Sequence, residues 1–200
     1  MTFTPRFDEA IKLASHLHRN QTRNDNRKTP YVSHLVSVAM LLGDAGADED
    51  TIIAGLMHDS LEDVPHYTYD QLVIDCGARV ADIVQHVTEP LDATKESDEQ
   101  LPWLERKEAY LAVLRSGGYE SAMVSTADKI HNTESFILDA TREGAAYLSR
   151  FGSSPRNRLW FHEQTLAIVT EKLGEDNSLI IKFKACTENF KALVTELEVR

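Results

Sequence analysis

The run His58-Asp59-Ser60-Leu61-Glu62-Asp63 places one imidazole and three carboxylates within six residues. The preceding Ile52, Ile53, Leu56 and Met57 are apolar at helical spacing, so the run ends a helix that Asp48 or Asp50 can cap. At 3.6 residues per turn His58 shares a face with Glu62, and Asp59 with Asp63. The apolar stretch anchors this end in a core, where three carboxylates without cations are strongly unfavourable. A bound divalent metal resolves that conflict. Two further residues fit the same chemistry: His34, at the start of a helix and facing an apolar stripe, and Asp128, an acid in the middle of an amphipathic helix. Two imidazoles and two carboxylates suit a borderline or hard divalent ion such as Mn, Fe, Zn or Mg, with positions left open for water.

The elements that must position these groups are helical. Apolar residues recur at three- and four-residue spacing in almost every segment, and strand-like alternation is nearly absent. Stripes through Phe7, Ala10, Ile11 and Ala14, and through Leu35, Val38, Ala39 and Leu42, give the first two helices. Thr68 caps a further helix that Gly77 breaks before another through Val80, Ile83, Val84 and Val87. Later helices run from about Pro102 to Leu114, Tyr119 to Leu138, Pro155 to Leu173 and Asn177 to Glu198. Gln21 to Thr29, Pro90 to Gln100 and Thr141 to Ser154 read as irregular, polar loops. The expectation is an all-α, single-domain bundle of about eight to ten helices over residues 1–200. Its metal-site core spans about 7–173, and a packing helix about 177–198 follows, whose Ile180, Ile181, Phe183, Phe190 and Leu193 suit core or an oligomer surface.

His34, His58-Asp59 and Asp128 match the H…HD…D pattern of the HD-domain metal-dependent phosphohydrolases. Beyond that pattern the chain resembles the hydrolase domain of the RelA/SpoT family and its small, free-standing SpoT-like relatives, from about Phe7 to Leu173. The resemblance is carried by His18-Arg19-Asn20-Gln21, Thr29-Pro30-Tyr31 before His34, the HDxxED string at 58–63, and Thr126-Ala127-Asp128-Lys129-Ile130-His131-Asn132. It implies hydrolysis of guanosine tetraphosphate or pentaphosphate (ppGpp) at the 3′ diphosphate, usually with Mn2+. Carried over residue by residue, it makes His34, His58, Asp59 and Asp128 the metal ligands, while Glu62 and Asp63 position and deprotonate the attacking water. Arg23 aligns with an arginine that packs on the guanine base, Asn132 with a contact to ribose or phosphate, and Ser135 falls on the ribose side. Lys129, Arg156 and Arg158 are phosphate candidates, and Trp160 stands where relatives carry an aromatic residue. Asn24, Leu35 and Trp103 depart from the family's usual lysine, proline and basic residue.

Charge bounds the partners. The 200 residues carry 21 Lys+Arg against 32 Asp+Glu, a formal net charge of −11, which argues against a surface that clamps nucleic acid or an anionic membrane. Any polyanionic ligand needs a local basic patch. Arg19, Arg23, Arg27 and Lys28 supply one against Asp25 alone, directly before His34. Cys76 and Cys186 lie far apart with no CxxC, as reduced thiols in a cytoplasmic protein do. No apolar run approaches the ~20 residues that span a bilayer. Among the other histidines, His16, His18, His86 and His162 read as packing or surface residues and His66 as a neighbour of the acidic pair. His131 points roughly 100° away from Asn132 on the helical wheel and is left out of the site. At this length there is no room for synthetase and regulatory domains, so the expectation is hydrolysis of a small nucleotide, in a chain that can form homo-oligomers. The alternatives are the same chemistry on NADPH 2′-phosphate or a nucleoside phosphate, a nucleotide-binding sensor with weak turnover, or a helical interaction protein.

Overall fold

Capping chemistry sets the first helices. Thr4 accepts the Phe7 N–H at 3.0 Å to start α1 (Pro5–Leu17), with Pro5 in the first turn where its missing N–H costs nothing. α2 is Val32–Asp44, and Asp48 rather than Asp50 caps α3 (Glu49–Met57) by accepting the Thr51 N–H at 2.9 Å. A single turn, α4 (Ser60–Asp63), follows. Thr68 caps α5 (Tyr69–Cys76), which Gly77, with φ at 96°, separates from α6 (Ala78–Gln85). The chain continues through α7 (Trp103–Ser116), α8 (Tyr119–Glu143), the short α9 (Ala145–Leu148), α10 (Pro155–Leu173) and α11 (Ser178–Val199). These come from a computed structural model that describes residues 4–90, 102–148, 150 and 153–199.

Nine of the helices have eight or more residues, and no strand occurs among the described residues, so the chain is all-α as its periodicity predicts. The loop expected over Pro90 to Gln100 lies almost wholly outside the described residues. Two expectations change. α8 runs past Leu138 to Glu143, because Phe136 and Ala140 continue its apolar stripe into a cluster with Tyr147, Phe190 and Val194. The Gln21–Thr29 loop is tied rather than open: Thr22 and Pro30 form one antiparallel bridge, Arg23 N–H donates to the Thr29 carbonyl at 2.8 Å, and Asp25 accepts the Thr29 N–H at 3.0 Å.

α8 is the spine. It packs against α2, α3, α6, α7, α9, α10 and α11. α3 is buried from Thr51 to Met57, which explains why this stretch is apolar on nearly every side rather than amphipathic. It lies close against α2 at Gly55, where a Cβ would meet Leu42 Cδ1 at 2.3 Å. Leu42 is fully buried, so its side chain has no free space into which to retreat.

Gly55→Ala should therefore destabilise the chain. Overpacking costs about 1–3 kcal/mol and outweighs the roughly 1 kcal/mol that alanine gains in helix propensity. Chemical denaturation checks this, and a variant more stable than the parent would show that Leu42 repacks freely.

Candidate metal centre and nucleotide cavity

Three helices bring the polar cluster into the core. His34 sits in the first turn of α2, His58 and Asp59 close α3, and Asp128 lies mid-way along α8. His34, His58 and Asp128 are buried. The Asp59 backbone, at φ −92° and ψ −2°, separates α3 from α4, so the helix expected to carry the whole acidic run is broken at that point. His58 Nδ1–H donates to the Gly55 carbonyl at 2.8 Å, using an acceptor that a longer α3 would offer to Asp59.

The four donor atoms converge. His34 Nε2 and His58 Nε2 are 3.3 Å apart. Asp59 Oδ2 is 3.1 Å from His58 Nε2 and 3.6 Å from His34 Nε2, and Asp128 Oδ1 is 3.2 Å from His34 Nε2 and 3.5 Å from His58 Nε2. Ligands at ~2.0–2.2 Å from one cation stand about 2.8–3.6 Å from each other, whether tetrahedral or octahedral. His34, His58 and Asp59 therefore fit a divalent metal in spacing as well as in chemistry, and Asp128 Oδ1 stands within 3.5 Å of both imidazoles. Burial opposes charge on His58, but Asp59 and Asp128 outweigh it and raise the imidazole well above its ordinary value. Burial lowers His34 instead. Burial also works against the charge of Asp128, yet Lys129 and the two imidazoles hold it well below the usual carboxylate range.

Several residues act on these donors. Tyr31 O–H donates to Asp59 Oδ2 at 2.7 Å, with its ring stacked on the buried His18 and 5.6 Å from the Arg23 guanidinium. Asn132 Nδ2 donates to Asp128 Oδ1 at 2.5 Å, and Arg23 Nη2 donates to Asn132 Oδ1 at 2.8 Å. Lys129 Nζ donates to Asp128 Oδ2 at 2.6 Å. His131, set aside on helical-wheel grounds, has Nδ1 at 2.8 Å from His34 Nδ1. Burial and the neighbouring His34 and Arg23 push it down to about 4, so it is neutral at physiological pH and its Nδ1 can accept the His34 N–H. That bond directs the His34 Nε2 lone pair at the metal position.

Glu62 and Asp63 lie one turn beyond Asp59. The Glu89 N–H donates to Glu62 Oε2 at 3.2 Å, and Gln21 Nε2 donates to the Asp63 carbonyl at 2.7 Å. Solvent reaches the Glu62 side chain, but the surrounding protein, with Asp59 and Glu89, raises its carboxyl to about 7. Crowding and Asp59 also raise Asp63.

A cavity of about 450 Å3 adjoins the centre. Arg23, Tyr31, Lys129 and Asn132 line it, together with Trp103, Lys107, Arg158 and Phe161. Ser135 lines a separate recess of about 300 Å3 that also holds His131. Arg156 is exposed and Trp160 packs against the main core; neither lines the cavity, whereas Arg158 and Phe161 of the same helix do. His66 is exposed, in a turn at φ 68°, and His162 lines the cavity wall.

A family model described as HD domain matches residues 10–148. The chain belongs to the HD domain family. Among relatives, it is 33% identical over 126 residues to guanosine-3′,5′-bis(diphosphate) 3′-pyrophosphohydrolase MESH1 of Xenopus tropicalis, covering 62% of this chain and 65% of that one. Identity and coverage are the same for the Homo sapiens protein of that name. A guanosine-3′,5′-bis(diphosphate) 3′-pyrophosphohydrolase of Haemophilus influenzae is 34% identical over 60% of this chain and 17% of its own length. The chain thus spans just under two thirds of the length of the MESH1 relatives it matches. The fold agrees with a solved structure described as a metazoan ortholog of SpoT that hydrolyzes ppGpp, at TM-score 0.74 and 21% identity over 94% of this chain and 97% of that one. A Listeria monocytogenes crystal structure matches at TM-score 0.66 and 27% identity, over 78% of this chain and 96% of the other.

Two measurements test this geometry. His131→Ala should weaken divalent-metal affinity about 10–100-fold, and His131→Asn, whose Oδ1 can replace Nδ1 as acceptor, should restore much of it. Equal affinity in parent and alanine variant, read by calorimetric titration, would remove His131 from the support of His34. The second concerns pH. Glu62 is raised from 4.5 to about 7 in the folded chain, so between those values the native state holds a proton that the unfolded chain has released. Its contribution to stability is full below pH 4.5 and is lost as pH rises through 7. Without metal, Glu62→Gln should match the parent at pH 4 and exceed its stability at pH 8, by an amount that solvent access at this side chain keeps small. A variant less stable at pH 8 would contradict the assigned crowding.

Proposed function

We propose that this chain is a metal-dependent phosphohydrolase whose substrate is a guanosine 3′,5′-bis(diphosphate), with Mn2+ as the preferred ion. The observation that carries the reading is the convergence of four N and O donors beside two raised carboxylates, at the edge of a cavity lined by Arg23, Lys107, Lys129 and Arg158. Those four cations face one lining acid, Asp139, in a chain of net charge −11. The names of the MESH1 relatives and of the Haemophilus influenzae protein support the choice of substrate.

In this reading His34, His58, Asp59 and Asp128 hold the ion, which supplies Lewis-acid polarisation of the phosphoryl group and lowers the pKa of coordinated water. Glu62 takes the proton of the attacking water, since a carboxyl near 7 matches the working pH of a general base. Asp63, its backbone fixed by Gln21, positions that water. The water oxygen bonds to the phosphorus carried on the ribose 3′ oxygen, the P–O3′ bond breaks, and the 3′ oxygen takes up a proton. Inorganic diphosphate and guanosine 5′-diphosphate result. Arg23 presents a planar guanidinium beside Tyr31, suited to stacking on a base, while Asn132 links Arg23 to Asp128 and so ties base binding to the centre.

Purified protein assayed against ppGpp, NADPH and nucleoside phosphates with and without Mn2+ tests the assignment. Mn2+-stimulated release of inorganic diphosphate from ppGpp is the expected result, and turnover of another nucleotide with none of ppGpp would overturn it. His58→Ala and Asp128→Ala should each lose the bound metal and about 10³-fold or more in kcat/KM, because each removes a ligand and leaves its partners' buried charge uncompensated. Unchanged metal stoichiometry in either variant would remove the proposed centre.

A further inference from the structure

Glu89 is a buried carboxylate outside the metal centre, only 4% exposed. It accepts hydrogen bonds from Arg106 Nη1, at 2.8 Å, and from Lys107 Nζ, while its N–H donates to Glu62. One negative charge thus faces two cations, and Lys107 also lines the cavity. Lys129, whose ammonium is tied to Asp128, lines it too. The two Nζ atoms lie 5.3 Å and 5.5 Å from the centroid of the same ring, Phe161, which places them within about 11 Å of each other. Each ammonium has three donors and gives one to its carboxylate, so both keep N–H groups for a ligand.

We propose that Lys107 and Lys129 form the subsite for the diphosphate group that is released, held over Phe161 by Glu89 and Asp128; this rests on the ppGpp reading above. A diphosphate presents terminal oxygens about 5–6 Å apart, and a charge-assisted bond of ~2.8 Å at each end reaches across about 11 Å, enough for any separation these ring distances permit, whereas a monophosphate reaches about 8 Å at most and carries less charge to share between two ammoniums. The placement suits the reaction. Lys129 shares Asp128 with the metal donors, and Lys107 shares Glu89 with Glu62, so a group bridging the lysines lies beside both the metal position and the base. Arg23, on the tied loop, and Tyr31, at the start of α2, lie beside each other and are left for the nucleoside. Two tethered ammoniums are thus better matched in reach and charge by a diphosphate ester than by a phosphomonoester.

The test compares calorimetric binding of methylenediphosphonate, inorganic phosphate and guanosine, the anions presented as Mn2+ complexes to the Mn2+-loaded full chain. The parent should bind the diphosphonate at least about tenfold more tightly than phosphate. Lys107→Met should bring that preference below about threefold, Lys107→Arg should keep it, and guanosine affinity should hold within about twofold in both. Where Lys107→Met melts early because Glu89 has lost a partner, Lys107→Met with Glu89→Gln removes both charges and should show the same loss of preference. A preference that survives either methionine variant, a guanosine affinity that falls in step with it, or a parent with no preference overturns the subsite. A chain that prefers the diphosphonate yet leaves ppGpp intact keeps the subsite and loses the ppGpp reading.

Discussion

The carboxylate of Asp128 is the point on which the site is balanced. It stands in the middle of the longest helix, 7% exposed, where an isolated ionised carboxylate would cost several kcal/mol. Four groups share it: His34, His58 and Asn132 at Oδ1, and Lys129 at Oδ2. Each comes with further constraints. His34 is braced by His131, His58 by the Gly55 carbonyl, and Asn132 by Arg23. The packing of α2 and α3 onto α8 is therefore also the assembly of the donor set, and the close approach at Gly55 serves both.

The same arrangement reconciles an acidic protein with an anionic ligand. Net charge is largely screened beyond the Debye length, about 8–10 Å in physiological salt, whereas binding inside a recess responds to the charges that line it. Here the cations are tethered before any ligand arrives: Arg23 to Asn132, Lys107 to Glu89 and Lys129 to Asp128. Long basic side chains otherwise lose rotamer entropy on binding, about 2 kcal/mol each. Tethering moves that loss into folding, so the acids near the cavity hold its cations still for the proposed anionic ligand.

How legible each part was depends on whether it is local in sequence. The H…HD…D donors and the Glu62-Asp63 pair could be named from short strings, because the chemistry demands those residue types at those spacings. His131 could not. The wheel correctly separates it from Asn132, but its partner is a ring from α2, and relations between helices do not show on one helix's wheel. Glu89 and Lys107 escaped for the same reason: they are 18 residues apart and meet only after α7 packs against the rest of the bundle. On α10, matching by residue type named Arg156, Arg158 and Trp160; of these only Arg158 lines the cavity, joined by Phe161, which lies one position beyond Trp160 and so about 100° around the axis. A visible signal did exist for Tyr31, which precedes a metal-ligand candidate in the helix-start string, yet its bond to Asp59 spans 28 residues.

The two buried imidazoles show why the site calls for a cation rather than merely accepting one. His34 and His58 are 3.3 Å apart and both face the carboxylates, yet burial lowers one while the carboxylates raise the other. Two imidazolium ions at that distance would repel strongly in a medium this poor in water, so the pair holds one proton, on His58. One proton offsets only part of the charge of Asp59 and Asp128. A divalent ion offsets both carboxylates and leaves both imidazoles neutral, with their Nε2 lone pairs already aimed by the Gly55 carbonyl and His131. Metal uptake at this centre is then an exchange of one proton for two positive charges, and it follows that the affinity of the site rises with pH until His58 no longer holds a proton.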